Sequence, residues 1–319
     1  MGEAKHIVGM DIGGTKMLAV VFDANFQPVG RFRKKSKGKV SPAEHVNNII
    51  QGALDDAGVK TIRGIGMGSP GPLDPNTGVI IDTPNLGWKN FPLADIVQDR
   101  FGVPAVVDND VNLGTYGEWC FGEVQDCRHV LGMFPGTGVG GGIIIDGKLL
   151  HGFTGSAAEV GHMTLEVDGP FCGCGKRGCL EALASRIAIA REVAALAVRG
   201  DAPYILENCG TDLAKIRSGA LARAVAAGDS HVEDVIRRAA YYAGIGVANL
   251  INVVSPEAVV LGGGLVEAME SLYLEEVARA VEDHAMPFIR KDVRIVPAKL
   301  GDDAVAMGAA RLIHDKLSA

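Results

Sequence analysis

Four side chains in the middle of the sequence are of the types that zinc prefers: His162, Cys172, Cys174 and Cys179. Thiolates and imidazole suit Zn²⁺, and four protein ligands close its tetrahedron, so such a set points to a structural metal rather than a catalytic one. Gly173, Gly175 and Gly178 allow the tight turns that gather the thiolates. Three free thiols on a loop would be the plainer reading. The crowding of half of the six cysteines into residues 172–179 counts against it. Cys120, Cys127 and Cys209 stand alone and read as packing residues.

Two further segments are suited to phosphate. Gly13-Gly14-Thr15 and Gly136-Thr137-Gly138 combine glycines, whose missing Cβ lets backbone N–H groups approach an anion, with a hydroxyl donor. Lys16 adds positive charge beside the first, and a third cluster, Gly262-Gly263-Gly264, follows an apolar run. Tight hairpin turns would also explain each loop singly. No Gly-x-x-x-x-Gly-Lys-Ser/Thr is present, and the glycines sit within hairpins rather than between strand and helix, which argues against a dinucleotide site.

An acid–base group is offered by Asp108-Asn109-Asp110, at the end of an apolar strand where ligands of α/β folds bind. A carboxylate there can orient an attacking hydroxyl and take its proton late in phosphoryl transfer. Asp108 or Asp110 can equally cap a helix beginning near Asn112, and spacing leaves both readings open. Glu159 and Glu181 flank the cysteine loop, where a zinc anchor would hold both rigidly near one place. Carboxylates that accept from several hydroxyls are what a sugar pocket requires. Exposed surface glutamates are the bland alternative.

The elements that must position these groups show a duplication. His6 to Met10, a Gly/Thr loop, Met17 to Phe22 and a turn at Asp23 are matched by His129 to Met133, a second such loop, Gly142 to Ile145 and a turn at Asp146. Each is an apolar strand, a loop and a returning strand. Ser41-Pro42-Ala43-Glu44 is a capping box with proline at the first helical position. Strands are expected at Ile62–Gly68, Val103–Val107, Ala258–Leu261 and Val293–Val296. Helices are expected from about Ile187, over Val235–Val253, Glu267–Asp283 and Ala304–Lys316. Strands alternating with helices define an α/β class.

Over 319 residues, 47% hydrophobic and 22% charged, the composition is that of a globular protein with a sizeable core. A net charge of −7 gives no electrostatic footprint for nucleic acid. The basic run Arg31–Lys39 is short and reads as a solvated edge. No signal-peptide pattern and no membrane span are expected, which places the chain in the cytoplasm.

The chain resembles the ROK family of bacterial sugar kinases, repressors and open reading frames along nearly all its length. Asp11-Ile12-Gly13-Gly14-Thr15-Lys16 looks like the family's first phosphate loop, and Gly136 to Gly142 like its second. Ala158-Glu159-Val160-Gly161-His162 and Cys172 through Glu181 look like its signature and zinc site. The resemblance implies a two-domain, actin-like ATPase fold (hexokinase-type, ribonuclease H-like) with a cleft between the domains. A small α/β domain would span residues 1–115, joined by the C-terminal helix at about 302–319, and a large α/β domain with the zinc loop would span 116–301. It further implies Mg-ATP as donor, with Asp11 near the metal–phosphate end and Asp110 as general base. The sugar hydroxyls would be bound by Asn109, Asp110, Glu159, His162 and Glu181, supported by Gly71 and Asn85. His162 would use one ring nitrogen on zinc and the other toward sugar. Gly262 to Gly264 would lie beside the adenosine, and a homodimer or higher homo-oligomer is implied.

Pro84-Asn85-Leu86-Gly87-Trp88 is similar to the family's glucokinases, so phosphorylation of the glucose 6-hydroxyl, feeding glycolysis, is the leading expectation. N-acetylmannosamine, N-acetylglucosamine or another hexose is the alternative. A non-catalytic, sugar-binding regulator is the reading from a different class. The first phosphate loop begins at residue 11, leaving no room ahead of it for a helix-turn-helix, and a pure sensor has no need of Asp110.

Overall fold

The computed structural model describes residues 5–83 and 85–318. Its chain divides into two compact units, Met1–Asp126 with Gly142–Ala157 and Asp302–Ala319, and Cys127–Gly141 with Ala158–Gly301.

In the first unit, β1 (His6–Ile12) and β2 (Lys16–Phe22) pair antiparallel, with β3 (Pro28–Lys35) beyond β2. Much of the basic run thus lies on an exposed edge strand, where charge discourages unwanted pairing. Helix α1 (Pro42–Ala57) begins as its capping box predicts, Ser41 Oγ accepting from Glu44 N at 3.3 Å. The chain continues through β4 (Ile62–Ser69), β5 (Leu73–Asp74), β6 (Val79–Thr83), β7 (Trp88–Pro92), α2 (Leu93–Phe101), β8 (Ala105–Asn109) and α3 (Asp110–Phe121). The main sheet has the order β3-β2-β1-β4-β8, with β1, β4 and β8 parallel. Strand alternation sends Val8, Met10 and Ile12 into one core with Ile49 and Ile50 of α1. Each such buried side chain stabilises by about 1.5–3 kcal/mol. The small sheet β5-β6-β7 was not expected, because its segments lie among Pro, Gly and Asn and read as loop. Pro84, in the glucokinase-like stretch, lies outside the described residues.

The second sheet is built from β9 (Val130–Pro135), β10 (Val139–Ile145), β11 (Lys148–Leu149), β12 (Ala258–Leu261) and β13 (Arg294–Pro297). Between β11 and β12 lie α4 (Leu180–Ala184), α5 (Arg186–Arg199), α6 (Pro203–Asn208), α7 (Ser218–Ala226) and the long α8 (Ser230–Val254). After β12 come α9 (Gly264–Ala268), α10 (Glu270–His284) and α11 (Pro287–Arg290), and α12 (Ala304–Ser318) ends the chain. The expected single helix over Glu267–Asp283 is two, broken at Met269, whose backbone leaves the helical region. Strand order is β11-β10-β9-β12-β13. Ranked by position along the chain, both main sheets therefore read third, second, first, fourth, fifth. The repeat seen as two hairpins extends to whole sheets.

Helix α12 belongs to the first unit. A Cβ on Gly9 of β1 or Gly66 of β4 would collide with the carbonyl oxygens of Ala306 and Ala309, so the helix backbone lies directly on the sheet. Ala306, Ala310 and Ile313 complete a second core with Ile7, Leu18, Val20 and Phe22.

Candidate active site

At the first loop, Gly13 N donates to Lys16 O at 3.0 Å, and a Cβ on Gly13 would sit 2.8 Å from that same oxygen. Ser36 secures the turn, its Oγ donating to Gly13 O at 2.5 Å and its N to Thr15 O at 3.0 Å. Asn85 lies close by, its Cβ 3.4 Å from where a Gly14 Cβ would stand. Lys16 Nζ donates to the Asp302 carboxylate at 3.1 Å, and Arg33 joins the same group at 2.9 Å. Burial, and then the neighbouring Asp110 charge, push the Asp11 carboxyl up to about 7, with Lys16 drawing it down.

Beside Asp11, the base-or-cap question has a mixed answer. The N-cap of α3 is Asn109, whose Oδ1 accepts from Val111 N at 2.9 Å and Asn112 N at 3.1 Å. Asp110 occupies the first helical position and also accepts from Val111 N, at 2.9 Å. The amide nitrogen of Asn109 is 3.8 Å from where a Gly71 Cβ would stand, which brings those two expected residues together. Asp108 is neither cap nor exposed. It is 2% exposed and accepts from Asn109 N at 2.7 Å and Asn112 Nδ2 at 3.1 Å. Its other oxygen meets His151 Nε2 at 2.6 Å, and this bond raises the imidazole's pKa. His151 was missed in the sequence, where it is a lone histidine after β11.

The second unit carries the second loop. Gly136 N donates to Gly138 O at 2.8 Å, closing the turn between β9 and β10. Glu181, in the first turn of α4, accepts from Val139 N at 3.0 Å, and a Cβ on Gly138 would collide with its carboxylate. Arg186 Nη2 donates to Thr137 Oγ1 at 3.1 Å, and its backbone N to Gly136 O at 2.8 Å. The glycine cluster after β12 packs against this loop. Gly263, at φ +84°, would place a Cβ 2.7 Å from Pro135 O.

The cysteine segment folds into a small hairpin. Cys172 N donates to Lys176 O at 2.8 Å, and Gly178 lies so close to Glu166 O that no Cβ fits. The ligand atoms of His162, Cys172, Cys174 and Cys179 all lie within 4.8 Å of one another. Cys172 Sγ is 3.6 Å from His162 Nδ1, and Cys174 Sγ is 3.7 Å from Cys179 Sγ. A tetrahedron with Zn–S bonds of about 2.3 Å has edges of about 3.8 Å, so the four atoms fit zinc. Burial pushes the Cys172 thiol up to about 12, whereas the Lys176 N–H lowers that of Cys174. With Nδ1 on the cysteine side, His162 Nε2 faces Glu159, 3.9 Å from its Oε2.

Duplicated sheets, each opening on a glycine–threonine hairpin, define the two-domain, actin-like sugar kinase fold. The chain belongs to the ROK family, whose sequence profile matches residues 7–316. It is similar to a glucokinase of Halalkalibacterium halodurans, 34% identical over 97% of this chain and 95% of that one. A ROK family glucokinase structure from Streptomyces griseus, in complex with glucose and AMPPNP, superposes with a TM-score of 0.83. It shares 33% identity over 96% of this chain and 98% of that chain. A xylose repressor of Caldicellulosiruptor bescii is 36% identical over 81% of this chain but only 64% of its own length. Among the described residues no helix is long and apolar enough to cross a membrane.

Proposed function

We propose that the protein transfers the γ-phosphate of ATP to the 6-hydroxyl of glucose, with Asp110 as general base. The observation that carries this reading is the conjunction of Asp110, fixed by Val111 N at the head of α3, with the Asp11 carboxylate and the first phosphate loop. Its support from outside is the glucokinase relative that matches along nearly the full length.

In this reading the first unit does the chemistry. Asp110 orients the sugar hydroxyl and accepts its proton as the phosphoryl group moves. Asn109 keeps its Oδ1 on the helix cap and offers its amide N–H groups to a sugar oxygen, with Gly71 and Asn85 alongside. Asp11 would hold the magnesium of Mg-ATP, whose charge neutralises the transferring phosphate. The Gly13-Gly14-Thr15-Lys16 loop takes the terminal phosphates.

The second unit contributes Glu159, His162 and Glu181 toward sugar hydroxyls, Gly136-Thr137-Gly138 toward phosphate, and Gly262-Gly263-Gly264 toward the adenosine. Zinc would be held by His162, Cys172, Cys174 and Cys179, rigidifying the segment between Glu159 and Glu181. A cytoplasmic homodimer working in glycolysis completes the proposal.

The alternatives are an N-acetylated hexosamine or another hexose as acceptor, and a silent sugar-binding regulator. The xylose repressors among the relatives favour the last. A coupled ADP-release assay decides. With Mg-ATP, glucose is expected to outperform N-acetylmannosamine, N-acetylglucosamine, mannose, fructose and allose, with a KM of about 1 μM–1 mM. Another winner replaces the acceptor, and silence from zinc-loaded protein across the panel sinks the kinase reading.

A further inference from the structure

Arg186 opens the 14-residue helix α5 where a cation is unfavourable on three counts. The positive end of the helix dipole repels it. It is half-buried, and a second guanidinium, Arg217, lies close enough to act on it; burial first and Arg217 second lower its pKa. Its side-chain hydrogen bonds go to Thr137 Oγ1 at 3.1 Å and Ile216 O at 3.4 Å, and Arg217 Nε donates to Ala214 O at 3.1 Å. Among the described residues no carboxylate forms an ion pair with either. Local charge arrangements that the fold leaves uncompensated are characteristic of ligand sites.

The surroundings state what kind of ligand. Arg186 donates to the Thr137 oxygen, so the hydroxyl hydrogen is directed to some other acceptor. Gly263 packs on Pro135, one residue before the Gly136-Thr137-Gly138 turn, and Ser218 Oγ is 3.6 Å from where a Gly264 Cβ would stand. Arg217 lies between Ser218, which meets the third glycine cluster, and Ile216, whose carbonyl accepts from Arg186 Nη1 at 3.4 Å. Two planar guanidinium forks and a hydroxyl beside glycine turns match the oxygens of a phosphate chain.

We propose that Arg186 and Arg217 form a two-guanidinium subsite for the phosphates of the nucleotide donor, beside the Gly136-Thr137-Gly138 loop. The subsite rests on the kinase reading in taking a nucleotide as its ligand. It makes donor binding depend on phosphate charge more than on adenosine, and it retains ADP as well as ATP.

Isothermal titration of the zinc-loaded protein with ADP, adenosine and inorganic tripolyphosphate tests this. Arg186→Gln is expected to weaken ADP and tripolyphosphate by roughly 10- to 100-fold. Arg217→Gln, at an exposed position that leaves the fold intact, is expected to weaken them by up to about fivefold. Adenosine affinity stays unchanged in both, and Arg186→Lys recovers part of the loss. ADP affinity equal to wild type in both variants overturns the subsite. So does an equal loss for adenosine, which marks Arg186 and Arg217 as merely structural. Arginine-dependent ADP binding without phosphorylation of any sugar leaves the subsite standing and removes the kinase reading. Sugar phosphorylation with unaltered ADP binding in both variants does the reverse.

Discussion

In the first unit the loop cation is already satisfied: Lys16 and Arg33 both rest on Asp302, at the start of the segment that leads into α12. In the second unit the equivalent hairpin has Arg186 and Arg217 beside it and no carboxylate paired to either among the described residues. The two hairpins share one strand pattern, so the backbone does not account for the difference. The charges do, and they come from elements outside the repeated hairpins: Asp302 before α12, Arg186 at α5, Arg217 before α7. Duplication supplies two phosphate-sized turns, and the added elements decide which turn has its cations on a carboxylate before a ligand arrives. The carboxylate-paired one lies beside Asp11 and Asp110, where bond making is proposed.

The largest test of this division is Asp110→Asn. It should lower kcat by about 10²-fold or more while ADP affinity, read by calorimetry, stays within about twofold of wild type. Near-normal turnover would remove Asp110 as base, and a matching loss of ADP affinity would erase the distinction between the two units. Cys174→Ser comes next. It should lose most of its zinc by metal analysis and raise KM for sugar roughly tenfold or more, since the segment carrying Glu159 and Glu181 loses its anchor. Full metal content with an unchanged KM would contradict the role given to the cluster.

His151→Gln probes the first unit's scaffold, because Asp108 holds both Asn109 N and Asn112. Removing the imidazole takes one partner from a buried carboxylate, at a cost of about 1–3 kcal/mol. The folded pKa of His151 is raised by its bond to Asp108, so the stabilisation is complete below the ordinary imidazole value of about 6.5. It is lost as pH rises through the raised value. Asp108 is the carboxylate facing this ring, and Lys316 of α12 lines the same cavity of about 250 Å³. The melting-temperature gap between wild type and variant should therefore be widest below about pH 6.5 and narrow as the pH is raised above that value. A gap independent of pH would mean that the ring acts by shape alone.

What was legible in the sequence was local. The capping box at Ser41, the repeated hairpins and the spacing of Cys172, Cys174 and Cys179 all work within a few residues, where periodicity and turn chemistry operate. Asn109 as the cap between two aspartates was not legible, because Asp and Asn both cap well and only the backbone angles choose. Charge pairing was the least accessible. Asp302 is 286 residues from Lys16, and His151 is 43 from Asp108. Nothing in the pattern of either segment announces its partner. Arg186 stands in the sequence just ahead of a helix expected from about Ile187, and only the fold sets Thr137, 49 residues away, beside it.

The smallest expected effect falls on Asp302→Asn, and it speaks most directly to why the two loops differ. Lys16, Arg33 and Asp302 are about half exposed, so losing the pairs changes stability by at most about 1 kcal/mol. If Asp302 merely occupies Lys16, freeing the lysine lets it meet a phosphate, and ADP affinity rises by up to about fivefold. If Asp302 instead holds Lys16 in the position that phosphate requires, the same substitution weakens ADP by a similar factor through lost preorganisation. Calorimetric titration with ADP across a salt series separates the two, since a freed lysine steepens the salt dependence and a misplaced one flattens it. A rise in affinity makes the first loop a counterpart of the second whose lysine is occupied by Asp302. A fall makes Asp302 part of the phosphate site, and the two loops then differ in how their cations are held rather than in whether they are free.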